Sequence, residues 1–163
     1  MSERPLWAPW RIDYITGPKD AECIFCAAAQ GRGEDADRVL ARGRHCFSIL
    51  NAYPYAPGHV MVAPNRHVAA LEHLDDSESL ELMQQARRMV AALTEAMSPQ
   101  GFNVGLNLGT VAGAGIADHL HLHVVPRWAG DTNFMPLLAD THVIPQALEA
   151  TRVALLDALV RVP

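Results

Sequence analysis

Residues 119–126 read His-Leu-His-Leu-His-Val-Val-Pro, and no other stretch of the chain restricts its fold as strongly. A period of two belongs to an extended strand, in which side chains at i, i+2 and i+4 share one face. His119, His121 and His123 then line one side, with neighbouring Cα atoms about 6.6 Å apart. Leu120, Leu122 and Val124 point to the opposite side, toward a core. Such a strand needs sheet neighbours and a covering layer.

Both are legible elsewhere. VLARGRHCFSIL, from Val39, reads as two strands turning at Gly43; HVMVAP (59–64) is a strand that Pro64 ends; FNVGLNLG (102–109) is a strand with two glycine interruptions. Leu82, Met83, Ala86, Met89, Val90, Leu93 and Met97 recur at three and four, the spacing of one helix face. That helix is capped by Asp75, Asp76 or Ser77, runs to about Met97 and stops at Ser98-Pro99-Gln100-Gly101. CIFCAAAQ (23–30) reads as a short helix, and Pro145 starts a C-terminal amphipathic helix through Leu159. GRGEDAD (31–37), NAYPYAPG (51–58) and TVAGAGIAD (110–118) read as loops. Strands before and after one long helix predict an α+β chain with a mainly antiparallel sheet. No internal repeat or second core is visible, and 163 residues fit one domain. Trp7 and Trp10, among Pro5, Pro9 and Pro18, suggest an irregular arm held by aromatic anchors or touching a partner.

Composition excludes several functions. A net charge of −5 argues against a binder of nucleic-acid polymers, though not against a local nucleotide site. Of the 13 Lys and Arg only Lys19 is lysine, in the turn-like Gly17-Pro18-Lys19-Asp20. That argues against a P-loop and a Schiff-base enzyme. No GxSxG nucleophile elbow occurs. Apolar runs fall well short of the ~20 residues of a membrane helix. The three cysteines, Cys23, Cys26 and Cys46, with no secretory h-region, predict a reducing cytoplasm rather than a disulfide framework.

The three histidines admit three chemistries: a solvated sheet face, a metal site, or phosphoryl transfer with the middle imidazole as nucleophile. Cys23-Ile24-Phe25-Cys26 is a C-x2-C knuckle, which by itself suits redox or metal chemistry. The redox reading wants a thioredoxin-like βαβ context that the pattern lacks.

HLHLHVV fits His-φ-His-φ-His-φ-φ, φ being apolar, and NAYPYAPGHVMVAPNRH fits a loop and strand opening on Gly-His. With NVGLNLG and HVVPRWAGDTNF, these residues resemble the histidine triad, or HIT, family over about residues 21–135. PWRIDY, LNAYPYAPGH, GFNVGLNLGT and HVVPRWAGD look most like its bacterial diadenosine tetraphosphate phosphorylase-type members. The resemblance implies one HIT domain over 1–163, with an N-terminal arm at 1–22, a core at 23–135 and a tail with a helix at 136–163. It implies a homodimer with a nucleotide pocket on the triad face of each subunit, adenine nucleotides being the expected substrates.

The resemblance further implies that His121 attacks an α-phosphorus and forms a nucleotidyl-histidine, which water or phosphate resolves. His123 and His59 are the expected catalytic partners; Asn51, Asn107 and the main chain around Gly113 and Gly115 the expected substrate contacts. Ile49 and Leu50 are expected to cover the base. Many members carry Gln or Ser where this chain has Gly115, so a phosphate contact there has to be main chain. That departure favours water, or mixed acceptors, slightly over strict phosphorolysis. Arg127 is the nearest cationic candidate for a second anion. A subset of members, and related uridylyltransferases, pair C-x2-C with two histidines. This implies a closed structural zinc site of Cys23, Cys26, His67 and His119. His45 is the rival for the place of His67; His73 and His142 read as surface residues. A non-catalytic, zinc-stabilised nucleotide-binding module is the alternative from another class.

Overall fold

The computed structural model describes residues 22–131 and 147–162. The arm with Trp7 and Trp10, the residues around Pro145, and His142 lie outside the described residues. Along the chain come helix α1 (Ile24–Ala29), a 3-10 turn (Glu34–Arg38), strands β1 (Val39–Arg42), β2 (Cys46–Leu50) and β3 (Val60–Pro64) and a 3-10 turn (Leu71–His73). Helix α2 (Asp76–Met97), β4 (Gly101–Leu106), a 3-10 turn (Thr110–Ala112), β5 (Leu122–Arg127) and α3 (Leu148–Arg161) follow. The strands form one five-stranded sheet in the order β1-β2-β3-β5-β4, every pairing antiparallel. The α+β architecture is the one the sequence pattern predicts.

Alternation splits the sheet into two faces. Cys46, Leu50, Val60, Val62, Leu122 and Val124 pack against Leu82, Ala86, Met89 and Leu93 of α2 and Leu155, Ala158 and Leu159 of α3. Phe47, Ile49, Met61 and Ala63 face the other way, where Phe25 and Ala28 of α1 cover them. Leu50 thus belongs to the helix-side core and cannot cover a base on the triad face; Ile49 is on that face but 2% exposed. Met83, expected on the apolar stripe of α2, is 56% exposed, at the edge of a face narrower than the sequence suggests.

Helix α2 starts where a capping box ties Asp75 and Glu78 together and ends at Ser98, which is left-handed (φ 48°). Two glycines let it lie close to the sheet connections. A Cβ at Gly43 would stand 1.9 Å from Glu81 Oε1, in the β1–β2 turn. Glu81 fills that space and accepts the N–H groups of His45 (3.0 Å) and Cys46 (3.1 Å). Gly58 (φ +79°) packs with 2.8 Å separations, from an added Cβ, to Leu93 Cδ2 and Met97 Sδ. It delivers His59 to the mouth of β3.

The triad strand is shorter than its alternation. β5 begins at Leu122, so His119 and His121 precede it, and His59 likewise precedes β3. Val62 pairs with Leu122, which would bring Pro64 opposite Leu120, and proline has no N–H for a ladder. Leu120 N–H bonds to Val68 O instead, at 2.7 Å. β4 also stops early, at Leu106, leaving Asn107 and Gly109 in the connection. The loop expected at 31–37 contains a 3-10 turn from Glu34.

Candidate active site and metal centre

All three triad histidines and His59 are buried, so the solvated reading of HLHLH fails. Their protons can be assigned from partners that only donate or only accept. The Tyr55 N–H (3.1 Å) and Asn51 Nδ2 (3.2 Å) both donate to His59 Nδ1. His59 therefore carries its proton on Nε2 and donates it to His123 Nδ1 at 2.9 Å. His123 is then protonated on Nε2, which is buried and has no hydrogen-bond partner. His121 Nδ1–H donates to the carbonyl of His119 at 2.8 Å, which leaves its Nε2 as a lone pair.

Burial keeps these imidazoles neutral. It is the largest cause in each case: it pushes His59 down to about 3, with His123 and His121 adding, and His123 down to about 4, with His121 adding. His121 is lowered by burial against an opposing hydrogen bond to the His119 carbonyl. The His121 and His123 rings lie 4.9 Å apart, centre to centre, and edge on. A neutral nucleophilic nitrogen and an unsatisfied N–H donor thus sit side by side.

At the other end of the triad, Cys23, Cys26, His67 and His119 bring one ligand atom each to within 4.8 Å of one another. Cys23 Sγ is 3.4 Å and Cys26 Sγ 3.6 Å from His119 Nδ1; Cys26 Sγ is 3.3 Å from His67 Nδ1. His119 Nε2–H donates to Pro64 O at 2.9 Å, so Nδ1 presents a lone pair to the sulfurs. Two sulfurs and two imidazole nitrogens are a borderline-soft set suited to a tetrahedral ion. Burial first, then neighbouring Cys23, pushes the Cys26 thiol up to about 11. A divalent cation reverses that balance by stabilising thiolate. His45 is not in the cluster; its N–H serves Glu81. Cys46 is buried in the helix-side core.

Asn51 is occupied in positioning, accepting Tyr53 N–H through Oδ1 (3.0 Å) and holding His59 through Nδ2. Asn107 is half-buried after β4, and Gly113 (φ 89°) and Gly115 are exposed in the connection that leads to the triad. Arg127 is not free to hold an anion: its guanidinium is paired with Asp131 and Asn103. Two residues escaped the sequence reading. Phe25 packs at 5.1 Å from the His119 ring and 4.9 Å from His121. The Tyr55 ring lies tilted against that of His59, 4.6 Å between centres, and stacks on that of His123 at 5.8 Å. Their only signal was membership of CIFC and NAYPYAPG.

The HIT domain profile matches residues 32–130. The chain belongs to the HIT family. A relative named AP-4-A phosphorylase, from Mycobacterium tuberculosis, is 42% identical over 97% of this chain and 85% of its own. The adenosine 5'-monophosphoramidase of Schizosaccharomyces pombe is 31% identical over 64% of this chain and 74% of its own. Among solved structures, a zinc-bound histidine triad family protein from Mycobacterium smegmatis superposes with a TM-score of 0.71 at 26% identity. It covers 86% of this chain and 94% of its own. The solved M. smegmatis structure shares the architecture described above.

Proposed function

We propose that this HIT protein is a nucleotidyl hydrolase or transferase that cleaves the α-phosphate bond of adenine dinucleoside polyphosphates or nucleotide conjugates. The observation that carries the reading is the lone pair on His121 Nε2 beside the unpartnered N–H of His123 Nε2. His121 Nε2 attacks the α-phosphorus; a P–N bond forms and the P–O bond to the leaving group breaks. His123 Nε2–H donates to an oxygen that gains charge in that step. His59 holds His123 in the donating tautomer, and the His119 carbonyl does the same for the nucleophile. The acceptor then forms a P–O bond as the P–N bond breaks, so one difficult displacement becomes two easier ones. Half-buried Asn107 and the exposed main chain at Gly113 and Gly115 supply polar groups for phosphate or ribose. His121→Ala is expected to lose nearly all turnover while keeping its melting temperature and nucleotide binding. Intact-mass measurement of the wild type after rapid quench is expected to show a nucleotidyl adduct absent from the variant. Comparable turnover in His121→Ala overturns the reading.

Phosphate as the sole acceptor is the second reading, supported by the likeness to AP-4-A phosphorylase. Gly115, which offers no side-chain donor, and Arg127, held by Asp131, speak for water. Diadenosine tetraphosphate incubated without phosphate decides between them: AMP with ATP indicates water. ADP with ATP, formed only when phosphate is added, indicates phosphorolysis.

The Cys23, Cys26, His67 and His119 set fits zinc, which would occupy a closed four-ligand site and supply rigidity rather than a reacting group. Zinc binding in the M. smegmatis relative supports that choice. Homodimerisation is supported by β4, which ends the sheet and exposes Asn103, Val104 and Gly105. No helix among the described residues is long and apolar enough to cross a membrane. A single domain over 1–163 and a cytoplasmic location complete the reading.

A further inference from the structure

The arginines of this acidic chain fall into distinct groups. Arg32, Arg38, Arg66, Arg127, Arg152 and Arg161 each pair with a carboxylate. Arg42 is occupied by the carbonyls of Ala28 and Ala29 at the end of α1. Arg44, Arg87 and Arg88 have no carboxylate partner among the described residues. All three line one cavity of about 390 Å³ between the β1–β2 turn and α2.

The remaining lining also presents donors. Gln85 is 8% exposed, and its Oε1 accepts Ser48 Oγ–H at 3.1 Å, which leaves the Nε2 amide to donate. Arg88 Nη2 reaches Leu159 O, while its Nε is buried without a hydrogen-bond partner. The one carboxylate in the lining, Glu81, is turned to the N–H groups of His45 and Cys46. No aromatic side chain joins the wall, and its charged groups are guanidinium planes apart from Glu81. Ser48 and Gln85 lie on the helix side of the sheet, and the His123 side chain lies on the other.

We propose that this cavity binds an oligophosphate, free or as the phosphate tail of a nucleotide, at a site separate from the triad. Guanidinium forks match phosphate oxygens in geometry and charge. The volume falls in the ~300–1,000 Å³ range of small-ligand sites. A net excess of positive lining in a chain of charge −5 gives a local attraction that the whole molecule lacks.

The test uses the full-length protein, with tripolyphosphate, ATP and AMP as probes, followed by calorimetry and amide chemical shifts. Tripolyphosphate is expected to shift the amides of 43–45 and 84–88, in wild type and in His121→Ala alike. Its affinity is expected to fall about tenfold or more in R44Q/R87Q, with an unchanged melting temperature, and to weaken as salt rises. If the double variant unfolds, R87Q alone, on the exposed face of α2, is expected to weaken binding several-fold. ATP equal to tripolyphosphate identifies the phosphates as the ligand; ATP at least tenfold tighter identifies a nucleotide; both support the site. No saturable binding at millimolar probe, shifts confined to the triad, or an affinity unchanged in the variants overturns it.

Discussion

Hydrogen bonds to partners of fixed character decide the tautomer of each histidine in the candidate site. Tyr55 N–H and the Asn51 amide can only donate to His59 Nδ1, and His123 inherits its tautomer from that choice, while the His119 carbonyl fixes that of His121. Neutrality has a consequence for stability. His59 and His123 titrate near 6.5 when unfolded but at about 3 and about 4 when folded, with burial the chief cause. Between those limits the unfolded chain binds more protons, so stability rises with pH. The melting temperature is expected to hold above pH 6.5 and to fall steadily as pH drops from 6.5 toward 4. Imidazole nitrogen NMR at pH 5 checks the cause: His59 and His123 should still be neutral. A charged His59 at that pH contradicts the burial argument.

At the scale of elements, helix α2 and the β1–β2 turn are joined through Glu81 and Gly43 rather than through apolar packing alone. The Glu81 carboxylate occupies the position a Cβ at residue 43 would need. Gly43→Ala is expected to lower unfolding free energy by about 1–3 kcal/mol, as overpacking does. In a Glu81→Ala background the same substitution should cost less, because the nearest of three close groups has gone, Gln85 Nε2 (2.9 Å) and Cys46 O (3.0 Å) remaining; additive costs in urea melts would contradict the clamp. Helix α1 plays a comparable part on the other face. It carries Cys26 and Phe25 together, so one candidate metal ligand and the packing against His121 arrive on one short element.

Over the whole molecule, the cluster of Cys23, Cys26, His67 and His119 joins the start of the described chain, the segment after β3 and the entry to β5. A structural ion held there would contribute folding free energy. Protein purified without added metal is expected to hold one zinc per chain by elemental analysis. Cys23→Ser should lose that zinc and melt at least ~4 °C lower, the equivalent of 1–2 kcal/mol in a chain of this length. A metal-free preparation with an unchanged melting temperature would overturn the structural role.

Alternation in HLHLHVV and the three-and-four spacing of Leu82, Ala86, Met89 and Leu93 suffice to predict a sheet, a covering helix and a shared face for the three histidines. Those are local properties of backbone geometry, and the structure bears them out. The four-residue Cys and His cluster was reachable only through family resemblance, because its members are separated by up to 96 positions. Packing decided the rest. Proline at 64 cut short the triad strand, and the face on which Leu50 falls followed from the β2–β3 register. Which nitrogen of each histidine holds a proton depends on partners as distant as the 64 positions between His59 and His123. Side-chain spacing along one strand carries no information about such partners; the sheet order that sets β3 beside β5 does.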